Sequence, residues 1–437
     1  MTLHGGIREA LLLAAVLFCV GYSWLSITEI APNERARIYL SVSLVERGEV
    51  KIDKEVERYG RNWDLSKKDG HWYCNKPPGA SFLGAISYWV GKRVTGNDGT
   101  WSLNGLFQWM RYTVMLPLAL LGFIAIRRWL ALLGMSEPVI DTASLAWMMG
   151  SAAFHYSHAF FSHHICAVLL VVSMWLLERV RQSRSQGGTD RGAVSAWRNA
   201  GLMLLVGASL GLSGLTEYQA GVSCVLVAIW ILGVREFRRW HLIVPFAVAA
   251  GVFLAGLLYY NQVAFGGPLE FSYLHHISGG HTVPISKPKL EYFSGLMVSL
   301  HRGIIPTSPW VLLAVPGIAY LFMKEGQRST ALLLGAIVFY RILFLSSYKW
   351  WSGDWGFGPR HMVPVLGVLT VLAAATMERW RRNPIGTGLA KGLVIAGMLY
   401  NQIQTAFLAE LPLGARNPIM DVVVPLARHG ATAPNLR

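Results

Sequence analysis

Charge is scarce in this 437-residue sequence. Only 14% of its residues are Asp, Glu, Lys or Arg, against roughly 25% in soluble domains, so too little charge is present to cover a surface in water. Disorder needs low hydrophobicity, and 53% hydrophobic residues exclude it. Cysteine is scarce as well. The four present, Cys19, Cys74, Cys166 and Cys224, are scattered, without the spacing of a metal pair or a disulfide framework. No Walker-type phosphate loop occurs, which argues against soluble nucleotide chemistry. Acid is rarer than base, 24 residues against 39. In a soluble protein that excess would point to nucleic acid. Here much of it sits between apolar runs as an orientation signal, and no nucleic-acid partner is expected.

Apolar runs are what the sequence has in quantity, and its mean hydropathy is +0.40. They fall at 9–27, 105–126, 138–158, 162–178, 200–215, 219–234, 242–260, 307–323, 330–347, 361–378 and 386–407. Each approaches the roughly 20 residues that cross a bilayer as a helix. The pattern predicts an all-α polytopic membrane protein of about eleven transmembrane helices. The stretch 200–234 is broken at Thr216-Glu217-Tyr218 and reads either as two short spans or as a re-entrant pair. The first run lacks a small-residue cleavage site and reads as a retained anchor.

With the N-terminus inside, the connections at 127–128, 179–198, 235–239, 324–328 and 379–382 are all rich in Arg and Lys, as short cytoplasmic loops should be. Two long segments, 28–104 and 261–306, then lie outside the cytoplasmic (inner) membrane, facing the periplasm or exterior, within one domain spanning 1–437. In the first, 34–46 is imperfectly amphipathic and 78–90 is apolar but too short to span. Both read as interfacial helices against membrane lipid.

Polar residues gather on that outer side. They include Glu29, Asn33, Glu34 and Arg37 after the first run, then Tyr73 and Lys76, then His163, His164 and Glu217. Arg302 precedes the eighth run, and Trp350, Trp351, Asp354, Arg360 and His361 lie between the ninth and tenth. Ionisable groups at membrane depth are costly without a function. Lys76, Arg302 and Arg360 are cations suited to phosphate, and the first and last have Pro and Gly neighbours that fix the backbone. Glu34 could take a proton from a hydroxyl, and the tryptophans could pack on a sugar. Each also has a plainer role: Glu34 as a helix-start acid, Lys76 as an interface anchor, the tryptophans as an aromatic belt, and His163-His164 as a helix end. Adjacent histidines lack the i, i+4 spacing of a metal pair, so no metal is indicated.

Pro32-Asn33-Glu34-Arg35-Ala36-Arg37, Leu44-Val45-Glu46-Arg47-Gly48-Glu49-Val50, Asp69-Gly70-His71-Trp72-Tyr73 and Lys76-Pro77-Pro78-Gly79 follow one another in order. This order resembles the GT-C superfamily of integral-membrane glycosyltransferases. Within it the sequence is most similar to the branch of protein O-mannosyltransferases and the bacterial aminoarabinose transferase of lipid A. Those enzymes carry Pro-Asp-Glu after the first span and Tyr-x-x-Lys-Pro-Pro before an interfacial helix. The segments around Tyr260-Asn261, Arg302-Gly303 and Gly358-Pro359-Arg360 look like motifs of a bacterial subgroup.

The resemblance implies a GT-C-like fold and a polyprenyl-phosphate-linked sugar as donor of a hexosyl or pentosyl group. The acceptor would be a glycan, lipid or protein. It implies donor phosphate at Lys76 and an acidic base in the first outer segment; as further cations, Arg360 and Arg302 are expected to bind the same phosphate. Asn33 stands where the family's Asp usually is, which leaves Glu34 as the base, with Glu29 its rival. Asn33, Arg37, Tyr73, His163, His164, Glu217, Trp351, Asp354 and His361 are expected to line the substrates. No cofactor is indicated. The competing reading is a transporter or flippase of lipid-linked sugars, favoured by Arg341 inside the ninth run.

Overall fold

In the computed structural model the described residues are 30–96, 101–185, 193–277, 285–300, 302–353, 356–406 and 424–429, with scattered positions between 6 and 21 and at 420–421. The expected first span, 9–27, therefore falls largely outside them, as do Glu29 and Asp354.

Among the described residues, six helices are long and apolar enough to cross a membrane. α1 (Pro32–Arg47), α2 (Asp53–Tyr59) and α3 (Gly79–Thr95) precede them. Then come α4 (Leu103–Leu132), α5 (Glu137–Met148), α6 (Ser162–Ser185), α7 (Ala193–Thr216), α8 (Ala220–Gly233) and α9 (Trp240–Phe265). α10 (Leu290–Val298), α11 (Pro309–Met323), α12 (Arg328–Ser347), α13 (Val363–Trp380) and α14 (Pro384–Ala406) complete the bundle. The six are α4, α6, α7, α9, α12 and α13, with α8 and α11 apolar but shorter.

The run at 138–158 is not one helix. α5 has 12 residues, about 18 Å at 1.5 Å per residue, and ends at Met148. Beyond it the chain bends through Gly150 and Ser151, where Ser151 Oγ donates back to the Trp147 carbonyl and accepts from the Ala153 N–H. Trp310 Nε1 donates to the Gly150 carbonyl at 2.7 Å, so the bend is satisfied by hydrogen bonds although buried.

The core sits between α6 and α13. The apolar window of the helical stretch 360–380 is 94% buried and that of α6 is 89%, whereas that of α9 is 17%. α13 is mostly small and branched apolar residues, with Thr370 and Thr376 among them, and is buried throughout from Val363 to Met377. Glycines let helices close on one another: a Cβ on Gly207 of α7 would lie 2.9 Å from the Phe246 carbonyl carbon of α9. Such small-residue contacts are how membrane helices associate without a hydrophobic drive.

The architecture is helical, with one short ribbon among the described residues, in the segment 28–104. β1 (Leu65–Lys68) and β2 (His71–Cys74) form an antiparallel ribbon in which Leu65 faces Cys74 and Lys68 faces His71. Asp69 and Gly70 make the turn with φ of 49° and 84°, as a two-residue hairpin with the right twist requires. Asp53 at the start of α2 ties the ribbon down, accepting from the Trp72 N–H at 2.9 Å and contacting His71 Nδ1 at 3.0 Å. The free edge of β1 meets the segment 261–306, where Ser66 forms a β-bridge with His276 and its Oγ donates to the Ser272 carbonyl at 2.7 Å.

α1 differs from the interfacial helix expected there. Pro32 sits in its first turn, Gly48 ends it in the left-handed region, and residues 36–43 between them are buried. Burial nearly all round explains the imperfect amphipathy of its sequence. α3 does present an exposed apolar face, with Ile86, Trp89, Val90 and Val94.

Candidate active site

Lys76 begins the Lys-Pro-Pro-Gly link between β2 and α3. Its Nζ lies 3.1 Å from Asp64 Oδ1 and 5.3 Å from the centre of the Tyr273 ring. Asn75 Nδ2 donates to the same Asp64 oxygen at 3.2 Å, and His276 Nε2 stands 3.9 Å from it. The segments 28–104 and 261–306 thus meet at this acid–base pair. Burial pushes the Lys76 ammonium below the usual lysine range, opposed by Asp64 and reinforced by Arg37 and Arg360. Burial would raise the Asp64 carboxyl, but Lys76, His276 and Arg360 together hold it well below the carboxylate range.

Arg360 completes the cationic side. A glycine-rich turn wraps it, and a Cβ on Gly353 would lie 2.8 Å from Arg360 Nε. That nitrogen is buried without a hydrogen-bond partner among the described residues, and the guanidinium lies 5.9 Å from the Phe161 ring centre. Arg302 bonds to the Gly356 carbonyl, so it braces the turn that holds Arg360.

A second polar group lies inside the bundle. Arg37 on α1 donates to the Asn33 carbonyl and to Ser162 Oγ, both at 3.0 Å, and Ser162 Oγ donates to Glu217 Oε2 at 2.8 Å. His163 Nδ1 stands 3.9 Å from that oxygen, and the His163 ring centre is 5.2 Å from that of His361. Arg341 Nη1 donates to Gln219 Oε1 at 2.8 Å. Glu217 Oε1, Arg341 Nε and Nη2, Asn33 Oδ1 and both His361 nitrogens are buried without partners among the described residues. Unsatisfied buried polar atoms are costly, and a polyhydroxylated ligand has the donors and acceptors to satisfy them.

Glu34 is held differently. Its Oε1 accepts from the Phe160 N–H at 2.7 Å and its Oε2 from the Ala31 N–H at 3.0 Å. Burial raises its carboxyl to about 7, against those two donors and the charges of Arg111 and Arg37.

The expected residues therefore separate. Lys76 pairs with Asp64, with the charge of Arg360 acting on both, while Arg37, Glu217, His163 and His361 form the inner group. His164 turns away, stacked on Trp147 at 6.2 Å, because neighbours on a helix point about 100° apart. Tyr73 packs on Phe265 at 5.4 Å, and Trp351 packs against Gly295 of α10. No group of three metal-binding side chains occurs among the described residues. Sequence reading missed Asp64, Tyr273 and His276. A signal for Asp64 was present: the Asp69-Gly70 turn fixes the ribbon register, which sets position 64 opposite 75, one residue before Lys76.

No family model and no curated protein matches the chain. Among solved structures, ArnT from Cupriavidus metallidurans in the apo state superposes with a TM-score of 0.59 over 97% of this chain and 81% of that one, at 15% identity. An Archaeoglobus fulgidus oligosaccharyltransferase, tethered to an acceptor peptide, superposes at 0.55 over 97% of this chain and 57% of its own, at 11% identity. The same organism's oligosaccharyltransferase AglB, in complex with an inhibitory peptide and dolichol-phosphate, gives 0.55 over 100% of this chain, 59% of its own and 11% identity. The fold is GT-C. The chain thus spans less than three fifths of the archaeal enzymes but most of ArnT. The long apolar helices make a multi-pass membrane protein, with six long spans among the described residues where about eleven were expected.

Proposed function

We propose that the protein is a membrane glycosyltransferase that moves a sugar from a polyprenyl-phosphate donor to a glycan, lipid or protein acceptor on the extracytoplasmic side. One observation carries the reading: within a GT-C fold, the Lys76 ammonium lies 3.1 Å from Asp64 where the segments 28–104 and 261–306 meet, with Arg360 near enough for its charge to act on both. The cations can hold a phosphate, and the partly exposed Asp64 carboxylate beside them can accept a proton. The acceptor oxygen attacks the anomeric carbon, the bond to the phosphate oxygen breaks, and the phosphate leaves with the electron pair. Its charge falls on Lys76 and Arg360. A phosphate of low basicity needs this charge stabilisation more than a proton donor. Glu217, His163, His361 and Arg341 supply the polar wall for the sugar. The lipid tail enters from the bilayer, beside the exposed apolar face of α3.

Mass analysis of lipid-linked sugars and surface glycans in a strain lacking the protein tests this. A polyprenyl-phosphate sugar should accumulate outside while one surface glycan loses a residue. Accumulation only on the cytoplasmic leaflet would replace transfer by flipping, the reading that the buried Arg341 favours.

A further inference from the structure

Resemblance points to Glu34 as the base, but the geometry around it does not. Both its carboxylate oxygens already accept backbone N–H groups, and the residue is 3% exposed. Asn33, the neighbouring position, carries an amide that cannot take a proton. The carboxylate that touches Lys76 comes instead from the ribbon: Asp64, whose side chain is 22% exposed. Its Oδ1 also receives Asn75 Nδ2, and His276 approaches the same atom. It is therefore aimed at the place where the donor phosphate must bind.

We propose that Asp64 takes the acceptor proton, and that the donor phosphate frees it by drawing Lys76 Nζ away. The assignment rests on the glycosyltransferase reading above. With no donor bound, Lys76 neutralises Asp64 and leaves it a poor base. When the phosphate arrives, the ammonium turns to it and Asp64 regains a full charge beside the anomeric carbon. The acceptor O–H then gives its proton to Asp64, its oxygen pair forms the new bond to the anomeric carbon, and the bond to phosphate breaks with its electrons on the phosphate oxygen. Acceptor activation thus waits for the donor, which suppresses loss of sugar to water. Glu34 is a positioning residue that holds the turn at Phe160 against α1.

The test uses the full chain in two assays. One is binding of undecaprenyl phosphate to purified protein, read by tryptophan fluorescence; the other is restoration of the surface glycan in the deletion strain. Asp64→Asn should lose turnover by about 10²–10⁴-fold, the usual contribution of a general base. It should bind undecaprenyl phosphate as tightly as the parent or more tightly, because Lys76 no longer has a competing partner. Binding that weakens along with turnover would reduce Asp64 to a support for Lys76 and overturn the proposal. So would full glycan restoration by Asp64→Asn. If that variant does not fold, Asp64→Asn/Lys76→Gln keeps a neutral pair in place. It should fall at least tenfold below Lys76→Gln alone, and equality would overturn the proposal. A parent protein that neither binds undecaprenyl phosphate nor restores any glycan would instead remove the glycosyltransferase reading itself.

Discussion

Gly79 rests against Thr216 so closely that a Cβ on the glycine would lie 2.8 Å from the Thr216 backbone nitrogen. The contact joins the Lys-Pro-Pro-Gly link to the break between α7 and α8, and so sets Lys76 relative to Glu217. In Gly79→Ala the methyl would meet the Thr216 hydroxyl first and the backbone of Leu215 and Thr216 just behind it, and that backbone cannot swing aside. The variant should lose about 1–3 kcal/mol, the usual cost of overpacking, together with turnover. Gly214→Ala, with open space at its Cβ, should be neutral or slightly stabilising. Thermal unfolding in detergent compares the two, and equal melting temperatures would show that the contact does not constrain the link.

Lys76→Ala should weaken use of the donor far more than use of the acceptor. Loss of an ammonium–phosphate contact costs on the order of 2–4 kcal/mol of transition-state stabilisation, by analogy with loss of one oxyanion donor. Competition by undecaprenyl phosphate should weaken in parallel. An unchanged donor dependence would leave Lys76 as a partner of Asp64 alone.

Glu34 makes stability depend on pH. Its carboxyl moves from 4.5 to about 7 on folding, so between those values the folded chain keeps a proton that the unfolded chain has lost. The stabilising contribution is complete below about pH 4.5 and is lost as pH rises through 7. The whole shift corresponds to about 3 kcal/mol. Melting temperature should therefore fall between pH 5 and pH 8 in the parent, and this fall should shrink in Glu34→Gln. An identical slope in both would show that Glu34 stays ionised throughout.

The Asp69-Gly70 turn is the exposed tip of the ribbon and tolerates a tag by its position. With the N-terminus in the cytoplasm, a reporter inserted there should be active only outside the membrane. Cytoplasmic activity would reverse the topology, and with it the side on which transfer occurs.

Much of the helical architecture was legible because apolar runs near 20 residues have few alternatives to a spanning helix. Lys76, Arg360 and Glu217 were legible too, since charge is so rare here that each ionisable residue beside an apolar run stands out. The break in the run at 138–158 was not, because hydropathy records composition and cannot register a bend satisfied by Ser151 and Trp310. Burial of α1 was equally hidden, since the surfaces that cover it come from elsewhere in the chain. The sequence by itself determined that this chain crosses a membrane and that its polar residues are few and grouped. Only the tertiary structure decided which acid meets Lys76. Asp64 stands twelve residues away along the chain, and what brings it to the ammonium is the register of a short ribbon clamped by Asp53 on one side and by Ser272 on the other.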